Sequence, residues 1–478
     1  MDLMYRPVTL PMHRVNNVFF IGIGGVGMSG IAEVMLNLGF SIYGSDCLLN
    51  KATQNLQALG AKIYSQHAAI NIEDMDVVIV SSAIADNNVE LLAAAEQRIP
   101  IVRRAEMLAE LMRFKQGIAI AGTHGKTTTT SLVAAVMAQG DLDPTFIVGG
   151  RVNSINSNSR LGDGEYLIAE ADESDASFLH LQPIVAVITN IDADHLTAYE
   201  NDFEKLRTAF IEFLHNIPFY GLAVLCIDDE IVRDIIPEVS RPYVTYGLSQ
   251  AADIRALNII HQQGKTQFDV VIKDTDSQYT YQLNLPGEHN VLNALASIAV
   301  GREFKVAHHA MQQALNEFAG IGRRMQLVGK INTGQSEIDF IDDYAHHPRE
   351  LAASIEAIRK GWPERRLVVV FQPHRYTRTR DLFDDFVAVL ADIDVLLLMN
   401  VYSAGEPAIK HADSRALAQA LRLRGKLDAI VIEDDLSLAQ SLRPIISAGD
   451  IVLTLGAGSI GNMVQQAFTE LSGEVDAK

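Results

Sequence analysis

The sequence predicts an α/β protein made of three consecutive domains with mostly parallel sheets. Short apolar runs alternate with helical patterns along almost the whole chain, glycine-rich turns follow several of these runs, and the alternation starts afresh twice. We place the domains at residues 1–115, 116–322 and 323–478. Each domain is therefore expected to have its own sheet, with functional residues where strands end.

The first domain is predicted from apolar runs that are too short to be helices. They are Val18 to Gly22, Ser41 to Gly44, Asp76 to Val80 and Ile99 to Val102, with a helix near Met28 to Leu38 after the first run. This alternation is typical of βαβ units, in which the strands are parallel.

The second and third domains repeat the pattern. The second has the runs Gly117 to Ala121, Tyr166 to Ala169 and Val185 to Thr189 and a helix at Asn290 to Val300. Between Asp253 and Leu285 apolar and polar residues alternate, which predicts an antiparallel part. The third domain has the runs FIDDY, LVVVFQ, DVLLLM, AIVI and DIVLTL and a helix at Pro348 to Arg359.

Composition excludes several classes of protein. The chain has 39 Lys and Arg against 59 Asp and Glu, a net charge of −20, which argues against nucleic acid or an anionic membrane as a partner. Cys47 and Cys226 are too few for a disulfide framework and fit a reducing compartment. No stretch reaches the ~18–20 apolar residues of a membrane span, and the N-terminus lacks the apolar core of a signal peptide. We expect a cytoplasmic protein.

The segment between the run GIAIA and the helical pattern SLVAAVMAQ is predicted to bind phosphates. Its residues are Gly122, Thr123, His124, Gly125, Lys126, Thr127 and Thr128. Glycines let the backbone approach phosphate oxygens, N–H groups at a helix start point toward them, and Lys126 adds a positive charge. The Thr127 hydroxyl can complete a magnesium shell. The loop is shorter than the general phosphate-loop pattern, and a glycine-rich turn without a ligand is the alternative.

A second glycine-rich turn connects the first predicted strand and helix. Its glycines are Gly22, Gly24, Gly25 and Gly27. With Asp46 at the end of the next strand, the turn forms a dinucleotide-binding fingerprint. The fingerprint indicates a pyrophosphate at a helix start and an acid near a ribose, so a UDP conjugate fits as well as NAD. A similar motif at residues 456–461 lies so near the C-terminus that we predict packing or a minor contact.

Acidic residues follow two further strands of the second domain. Glu173 lies in EADESD after the run YLIA, and His195 ends DADH after the run VAVITNI. Magnesium takes one or two carboxylates together with phosphate oxygens and waters, so Glu173 is the predicted protein ligand beside Thr127. For His195, metal binding and a hydrogen-bonding role are equally open.

In the third domain, polar residues follow two predicted strands. DYAHHP ends one strand and QPHRYTR the next, which brings His346, Arg375 and Arg378 to the ligand edge of the sheet. The forked guanidinium groups match a carboxylate or a phosphate. Metal binding by the neighbours His346 and His347 is disfavoured, because adjacent side chains of an extended segment point apart.

These motifs resemble those of the Mur ligase family. The chain carries GIGGVGMSGIAE, SSAI, AGTHGKTTTT, EADESDASFLHLQP, TNIDADH, PGEHNVLNA, GRRMQ, DDYAHHP and FQPHRYTRTRDLF in the order that the family has. The resemblance covers essentially the whole chain. FQPHRYTRT resembles the members that join L-alanine to UDP-N-acetylmuramate rather than those that recycle a tripeptide.

The resemblance implies a fold and a set of site residues. The N-terminal domain is Rossmann-like and holds the UDP group, the central domain is P-loop ATPase-like, and the C-terminal domain is Rossmann-like and brings the amino acid. Thr127, Glu173 and His195 would hold magnesium. The other implied contacts are Asn290 and Asn293 with adenine, Asp343 with the ribose of ATP, Arg324 with the phosphates, Tyr344, His346, Arg375 and Arg378 with alanine and the acyl phosphate, and Ser45, Asp46 and His67 with uridine and its ribose.

The implied reaction is an ADP-forming ligation in peptidoglycan precursor synthesis, and so in cell wall biogenesis, cell shape and cell division. ATP phosphorylates the lactyl carboxylate of UDP-N-acetylmuramate, and the amine of L-alanine attacks the acyl phosphate. The implied cofactors are ATP and two Mg²⁺ ions, and the protein is expected to be a monomer or weak homodimer. Lys126, Glu173, His195, His346, Arg375 and Arg378 are the predicted catalytic residues. Either histidine can be the base that accepts the amine proton.

Two alternatives stay open from the residues alone. An NAD-dependent oxidoreductase accounts for the first glycine turn but not for Glu173 or the loop at 122–128. A nucleotide-binding regulator without catalysis is the other class. Two positions depart from the family pattern, Ala345 in place of a common Gly and the segment Leu196–Tyr199. We expect Lys126→Ala to abolish turnover without unfolding the chain, because its contact would be with the ligand.

Overall fold

The structure, a computed structural model, describes most of the chain. It covers residues 12, 14–81, 83–155, 157–194, 196–273, 275, 277–334, 336–425, 427–432 and 437–475. Three sheets follow one another along these residues, and each is mostly parallel where its strand directions are established. This is the predicted α/β architecture. The domain boundaries at 115 and 322 stay a prediction.

The first sheet has five parallel strands in the order β3-β2-β1-β4-β5. Its elements are β1 (Asn17–Ile21), α1 (Val26–Asn37), β2 (Ser41–Ser45), α2 (Lys51–Ala58), β3 (Lys62–Tyr64), β4 (Val77–Val80), α3 (Val89–Gln97), β5 (Ile101–Arg103) and α4 (Arg104–Arg113). The central strand β1 is buried on both faces, which explains its continuous apolar sequence. The strand order reverses between β1 and β4, which places a ligand crevice at their carboxyl ends.

The second sheet has ten strands in the order β15-β14-β13-β12-β11-β10-β6-β9-β7-β8. Its elements are β6 (Gln116–Ala121), α5 (Lys126–Gln139), β7 (Thr145–Val152), β8 (Ser157–Arg160), β9 (Tyr166–Glu170), β10 (Val185–Ile188), α6 (Phe203–His215), β11 (Leu222–Cys226), α7 (Glu230–Ile235), β12 (Tyr243–Gly247), β13 (Ile254–Gln262), β14 (Lys265–Ile272), β15 (Gln278–Leu283), α8 (Glu288–Glu303) and α9 (His308–Glu317). Strand β6 lies between β10 and β9 and is parallel to both. The loop that follows β6 is therefore flanked by the ends of two neighbouring strands.

The third sheet has six strands in the order β16-β17-β21-β18-β19-β20, with only β16 antiparallel. Its elements are β16 (Gln326–Asn332), β17 (Glu337–Asp343), α10 (Pro348–Gly361), β18 (Leu367–Phe371), α11 (Tyr376–Asp381), α12 (Phe383–Leu390), β19 (Val395–Leu398), α13 (Ser414–Leu423), β20 (Ile430–Val431), α14 (Leu438–Leu442), β21 (Ile451–Leu455) and α15 (Ile460–Val475). The strands β17, β21 and β18 form its buried centre.

Helix α5 begins at Lys126, five residues before the predicted start at Ser131. The sequence between them is a run of threonines, which are weak helix formers because they are branched at Cβ. In the structure these residues are buried, and the hydroxyls of Thr130 and Ser131 donate to the carbonyls of Lys126 and Thr127, one turn back. Burial and these local bonds therefore override the weak propensity.

The chain divides into two compact units. The first unit runs to Leu257 and includes Val270–Tyr279 and Leu292–Glu317, and the second contains Asn258–Asp269, Thr280–Val291 and the chain from Phe318 onward. Among the helices of the described residues, none combines the length and the apolar composition that crossing a bilayer requires.

The core around β18 yields a stability prediction. Phe371 is fully buried, and its ring centroid lies 5.4 Å from that of Phe386 in α12. Phe371→Ala should lower the free energy of unfolding by ~3–5 kcal/mol, because it removes apolar contacts and leaves a cavity. Phe219 is 84% exposed, so the control Phe219→Ala should change it by at most ~0.5 kcal/mol. Urea denaturation of both variants is the measurement, and equal losses would contradict the packing described for β18.

Candidate functional site

The phosphate loop between β6 and α5 is held by residues that follow the neighbouring strand β10. The Thr189 hydroxyl donates to the backbone carbonyl of His124 at 2.6 Å. Asn190 accepts from the His124 backbone N–H at 2.8 Å and donates to its carbonyl at 2.9 Å. Gly122 has φ of +130°, and a Cβ there would lie 2.1 Å from Thr189 Oγ1. A glycine is therefore required for the loop to lie this close to β10.

Lys126 is the first residue of α5, and its ammonium is held by the protein itself. Nζ donates to the two carboxylate oxygens of Glu173 at 2.9 and 2.7 Å and to the Gly122 carbonyl at 2.6 Å. Burial works to lower the pKa of Lys126, but the charge of Glu173 outweighs it and holds this pKa above its usual value. The prediction for Lys126→Ala considered only a contact with ligand; the structure adds a contact with the buried Glu173, and the ligand contact stays a prediction.

The predicted magnesium ligands are only partly within the described residues. Glu173 and Thr127 are both buried at the loop, whereas His195 lies outside the described residues. The Tyr199 hydroxyl donates to the backbone carbonyl of Glu173 at 2.5 Å. The segment that departs from the family pattern thus keeps a tyrosine that anchors Glu173. A buried carboxylate that already pairs with an ammonium is a group suited to binding a cation.

Two asparagines of α8 were predicted to face adenine. Asn293 accepts a hydrogen bond from the Thr129 hydroxyl at 3.0 Å and packs against Gly125, where an added Cβ would come within 2.7 Å of it. Asn290 donates to the Pro286 carbonyl at 2.7 Å. Asn293 therefore packs directly against the phosphate loop, and the adenine contact of both residues stays a prediction.

The glycine turn before α1 is closed by the acid that the fingerprint predicts. Asp46 Oδ2 accepts from the Gly24 backbone N–H at 2.9 Å, and Asn50 donates to the Gly24 carbonyl at 3.0 Å. A Cβ on Gly24 would lie 2.8 Å from Asp46 Oδ2. The carboxylate thus fixes the turn that would receive the pyrophosphate. Its contact with a ribose stays a prediction.

Ser45 and His67 lie next to each other, but only His67 has an exposed part of its side chain. Ser45 is fully buried at the end of β2, and its hydroxyl donates to Glu90 at 2.6 Å. His67 bonds the same carboxylate and keeps 20% of its side chain exposed. Sequence reasoning missed Glu90, because an acid in the first turn of a helix after Asn88 looks like ordinary capping.

Arg104 is a second residue that sequence reasoning missed. It begins α4, and its guanidinium donates to Asp172 at 2.8 Å, next to Glu173. A Cβ on Gly27 would lie 2.6 Å from its Nη1, so the side chain also covers the first turn of α1. A cation at a helix start opposes the helix dipole, and this mismatch was the available signal.

In the second unit, the structure brings Arg324, Asp343 and Tyr344 together. Both oxygens of Asp343 accept backbone N–H groups, from Met325 and Ala345, at 2.8 Å. Burial raises the pKa of Asp343 to about 6, while the charge of Arg324 opposes the shift. The guanidinium of Arg324 lies 5.1 Å from the centroid of the Tyr344 ring, a cation–π distance.

Two histidines and two arginines lie next to this group. The rings of His346 and His374 are 5.6 Å apart, and Nη1 of Arg378 lies 3.4 Å from Nδ1 of His374. Burial lowers the pKa of His346 to about 4, and Arg378 acts in the same direction. Arg375 has φ of +69°, held by its N–H bond to the Tyr402 carbonyl at 2.8 Å. Strained backbone of this kind is common at functional sites.

The glycine motif at 456–461 contacts Arg323. The guanidinium of Arg323 donates to the carbonyls of Gly456 and Gly458 and pairs with Asp342 at 3.0 Å. The contacts agree with the predicted packing role. Arg323 had no predicted role, and only its place in GRRMQ singled it out.

Three family models match successive parts of the chain. The model of the Mur ligase family catalytic domain matches residues 17–116, that of the Mur ligase middle domain 120–301, and that of the Mur ligase glutamate ligase domain 323–458. The three matches correspond to the three sheets.

Solved structures with similar folds cover almost the whole chain. A UDP-N-acetylmuramate-alanine ligase from Thermotoga maritima has 29% identity, covers 96% of this chain and 99% of its own, and superposes with a TM-score of 0.81. A murein peptide ligase from Psychrobacter arcticus 273-4 has 23% identity, the same coverage and a TM-score of 0.68. A MurF ligase from Thermotoga maritima in complex with ADP has 18% identity, covers 91% of this chain and 95% of its own, and has a TM-score of 0.62.

The last two similarities concern the fold alone, but the first extends to sequence. Together with the three family models they confirm the predicted fold class, an α/β chain of three consecutive domains with mostly parallel sheets. They also confirm the family that the motifs indicated. From its three matched domains and its similarity to a solved ligase over nearly its full length, this chain belongs to the Mur ligase family.

Proposed function

We propose that this protein joins L-alanine to the lactyl carboxylate of UDP-N-acetylmuramate and converts ATP to ADP and phosphate. As a Mur ligase it is an ADP-forming ligase of peptidoglycan precursors. The choice of L-alanine is supported by one observation above all. The alanine ligase from Thermotoga maritima shares 29% identity over 96% of the chain, whereas the murein peptide ligase from Psychrobacter arcticus shares 23% over the same fraction.

The first unit supplies the groups that activate the carboxylate. A carboxylate is a poor electrophile, because its oxygen leaves badly until a phosphoryl group is attached. The γ-phosphoryl group moves from ATP to a lactyl oxygen, so the P–O bond to ADP breaks and a P–O bond to the carboxylate forms. The Lys126 ammonium and the N–H groups at the start of α5 neutralise charge on the phosphates during this transfer.

Magnesium fits the buried acidic side of the loop. Glu173 is 1% exposed and pairs with the Lys126 ammonium, so a magnesium ion beside it would balance its charge if Lys126 turned to a phosphate. Thr127 and Glu173 would hold the ion, with His195 as a further predicted ligand. When bound, magnesium supplies charge neutralisation for the phosphate oxygens.

The second unit supplies the groups for the amino acid. Arg375 and Arg378 carry the forked donors that suit its carboxylate. The amine nitrogen attacks the acyl carbon, the C–O bond to phosphate breaks, and the amine loses a proton. Burial lowers the pKa of His346 to about 4, so its ring is neutral near pH 7, and His346 and His195 both stay predicted proton acceptors.

The test is phosphate release measured with UDP-N-acetylmuramate and one amino compound at a time. L-alanine, glycine, L-serine and L-alanyl-γ-D-glutamyl-meso-diaminopimelate are compared. We expect release to require both substrates and to be fastest with L-alanine. Fastest release with the tripeptide would contradict the proposal, and release that needs no amino compound would indicate a nucleotide-binding regulator or a simple ATPase instead.

Lys126→Ala should lower kcat by at least ~10²–10³-fold, the usual loss for one charge-stabilising donor. The variant should also melt at a lower temperature, since Glu173 stays buried without its ammonium. The double variant Lys126→Ala/Glu173→Gln should regain the melting temperature but stay inactive. Lys205→Ala, on the exposed face of α6, is the control and should match the wild type. If the Lys126→Ala variant keeps most of the wild-type kcat, Lys126 is excluded from the reaction.

Arg375→Ala should reduce kcat/KM for L-alanine about 10²-fold, because a carboxylate loses its charged partner. The dissociation constant of UDP-N-acetylmuramate, measured by calorimetry, should stay within about twofold of the wild type. Arg380 is exposed in α11, the helix that begins directly after Arg375, and pairs with Asp381, so Arg380→Ala is the matched control. Equal losses in amino-acid use and in UDP-substrate binding would refute this position of Arg375.

A further inference from the structure

Glu90 is a buried carboxylate whose hydrogen bonds all stay inside the protein. It lies in the first turn of α3 and is fully buried. Oε2 accepts from the Ser45 hydroxyl at 2.6 Å and from His67 Nδ1 at 2.8 Å. Oε1 accepts from the Asn71 amide at 2.7 Å and from the Ala68 backbone N–H at 3.3 Å. Each oxygen thus has two donors, so this carboxylate is satisfied without a ligand.

The arrangement determines which nitrogen of His67 carries the proton. Nδ1 lies 2.8 Å from Glu90 Oε2 and 2.9 Å from the Ser45 hydroxyl oxygen, whose own hydrogen is donated to Glu90. A carboxylate oxygen can only accept, so an unprotonated Nδ1 would face it lone pair to lone pair. Nδ1 must therefore donate. In the neutral ring, Nε2 is then a hydrogen-bond acceptor.

The other edge of the His67 ring is available to a ligand. Among the described residues, His67 has hydrogen bonds only through Nδ1, and 20% of its side chain is exposed. The ring is anchored to Ser45, the residue before Asp46, which closes the glycine turn of the predicted UDP site. An acceptor of defined orientation therefore lies near the end of β2.

We propose that Glu90 is a positioning residue for the UDP-linked substrate. It holds His67 in the Nδ1-protonated form, so that Nε2 accepts a hydrogen bond from an N–H or O–H donor of the uridine. The imide N–H of uracil and the ribose hydroxyls are such donors. This inference rests on the proposed function, because a UDP conjugate is the ligand, and it assigns a role to a residue that touches no substrate.

The first test determines directly which ring nitrogen of His67 carries the proton. Nitrogen-15 spectra of the histidine rings are recorded for the ligand-free full chain, and the His67 signals are identified by their loss in His67→Gln. The expected spectrum has the proton on Nδ1. In Glu90→Gln, an amide nitrogen replaces one of the two carboxylate oxygens that accept from the four donors. The Nδ1-protonated form of His67 should then no longer dominate. A wild-type ring protonated on Nε2 would overturn the proposal, whatever the variant does.

The second test separates positioning from a structural role. Glu90→Gln should raise KM for UDP-N-acetylmuramate about tenfold, the loss expected for one hydrogen bond to a well-oriented partner. kcat and KM for ATP should stay within about twofold, which a general loss of structure would not allow. Glu96 is exposed on the same helix, so Glu96→Gln is the matched control. An unchanged KM for UDP-N-acetylmuramate in Glu90→Gln would overturn the proposal.

Failure of this inference can be distinguished from failure of the proposed function. If the wild type releases no phosphate with any amino compound, the proposed function fails, and calorimetry with UDP alone still compares wild type and His67→Ala. His67→Ala should weaken UDP binding about tenfold. If Glu90→Gln does not fold, this comparison and the wild-type ring spectrum decide. Equal UDP affinity in wild type and His67→Ala would contradict the inference.

Discussion

The position of one ammonium group depends on three neighbouring strands of the central sheet. Lys126 begins helix α5, and the loop between β6 and α5 is held by Thr189 and Asn190, which follow β10. Strand β6 lies between β10 and β9. Glu173, after β9, receives the ammonium. Three adjacent strand ends thus fix one positive charge and its counter-charge. Parallel strands make this possible, because their carboxyl ends meet at one edge.

The buried pair of Lys126 and Glu173 is also a constraint on function. Under the proposed function, a nucleotide phosphate and Glu173 would compete for the same ammonium, and a metal cation would have to satisfy the carboxylate when the phosphate takes its place. Nucleotide and magnesium binding are therefore coupled in this account. In the second unit, burial lowers the pKa of His346 and of His374, and the charge of Arg378 acts on both in the same direction.

The parts that sequence predicted best are those with a local cause. Continuous apolar runs such as VFFI and LVVVF predict buried parallel strands, and glycines at fixed spacing predict turns that only a small residue can form. The resemblance to a family added the predicted ligands. The start of α5 was missed, because burial of its threonines is a tertiary effect that a weak helix propensity does not reveal.

Residues that act through other residues could not be predicted in the same way. Glu90 is contacted by two other segments, at Ser45 and at residues 67–71, and Arg104 by Asp172, which follows a distant strand. Neither has a motif of its own. Sequence reasoning assigned Lys126 a contact with ligand and did not predict its pair with Glu173, since nothing in the order of residues shows that Glu173 is buried against it.

The most direct test of the account follows oxygen atoms. UDP-N-acetylmuramate labelled with oxygen-18 in its lactyl carboxylate is turned over with ATP and L-alanine, and the released phosphate is weighed by mass spectrometry. If a phosphoryl group is transferred to the carboxylate, each phosphate leaves with one labelled oxygen. Phosphate released without the label, while the amide still forms, would contradict the mechanism on which the roles of Lys126 and Glu173 are based.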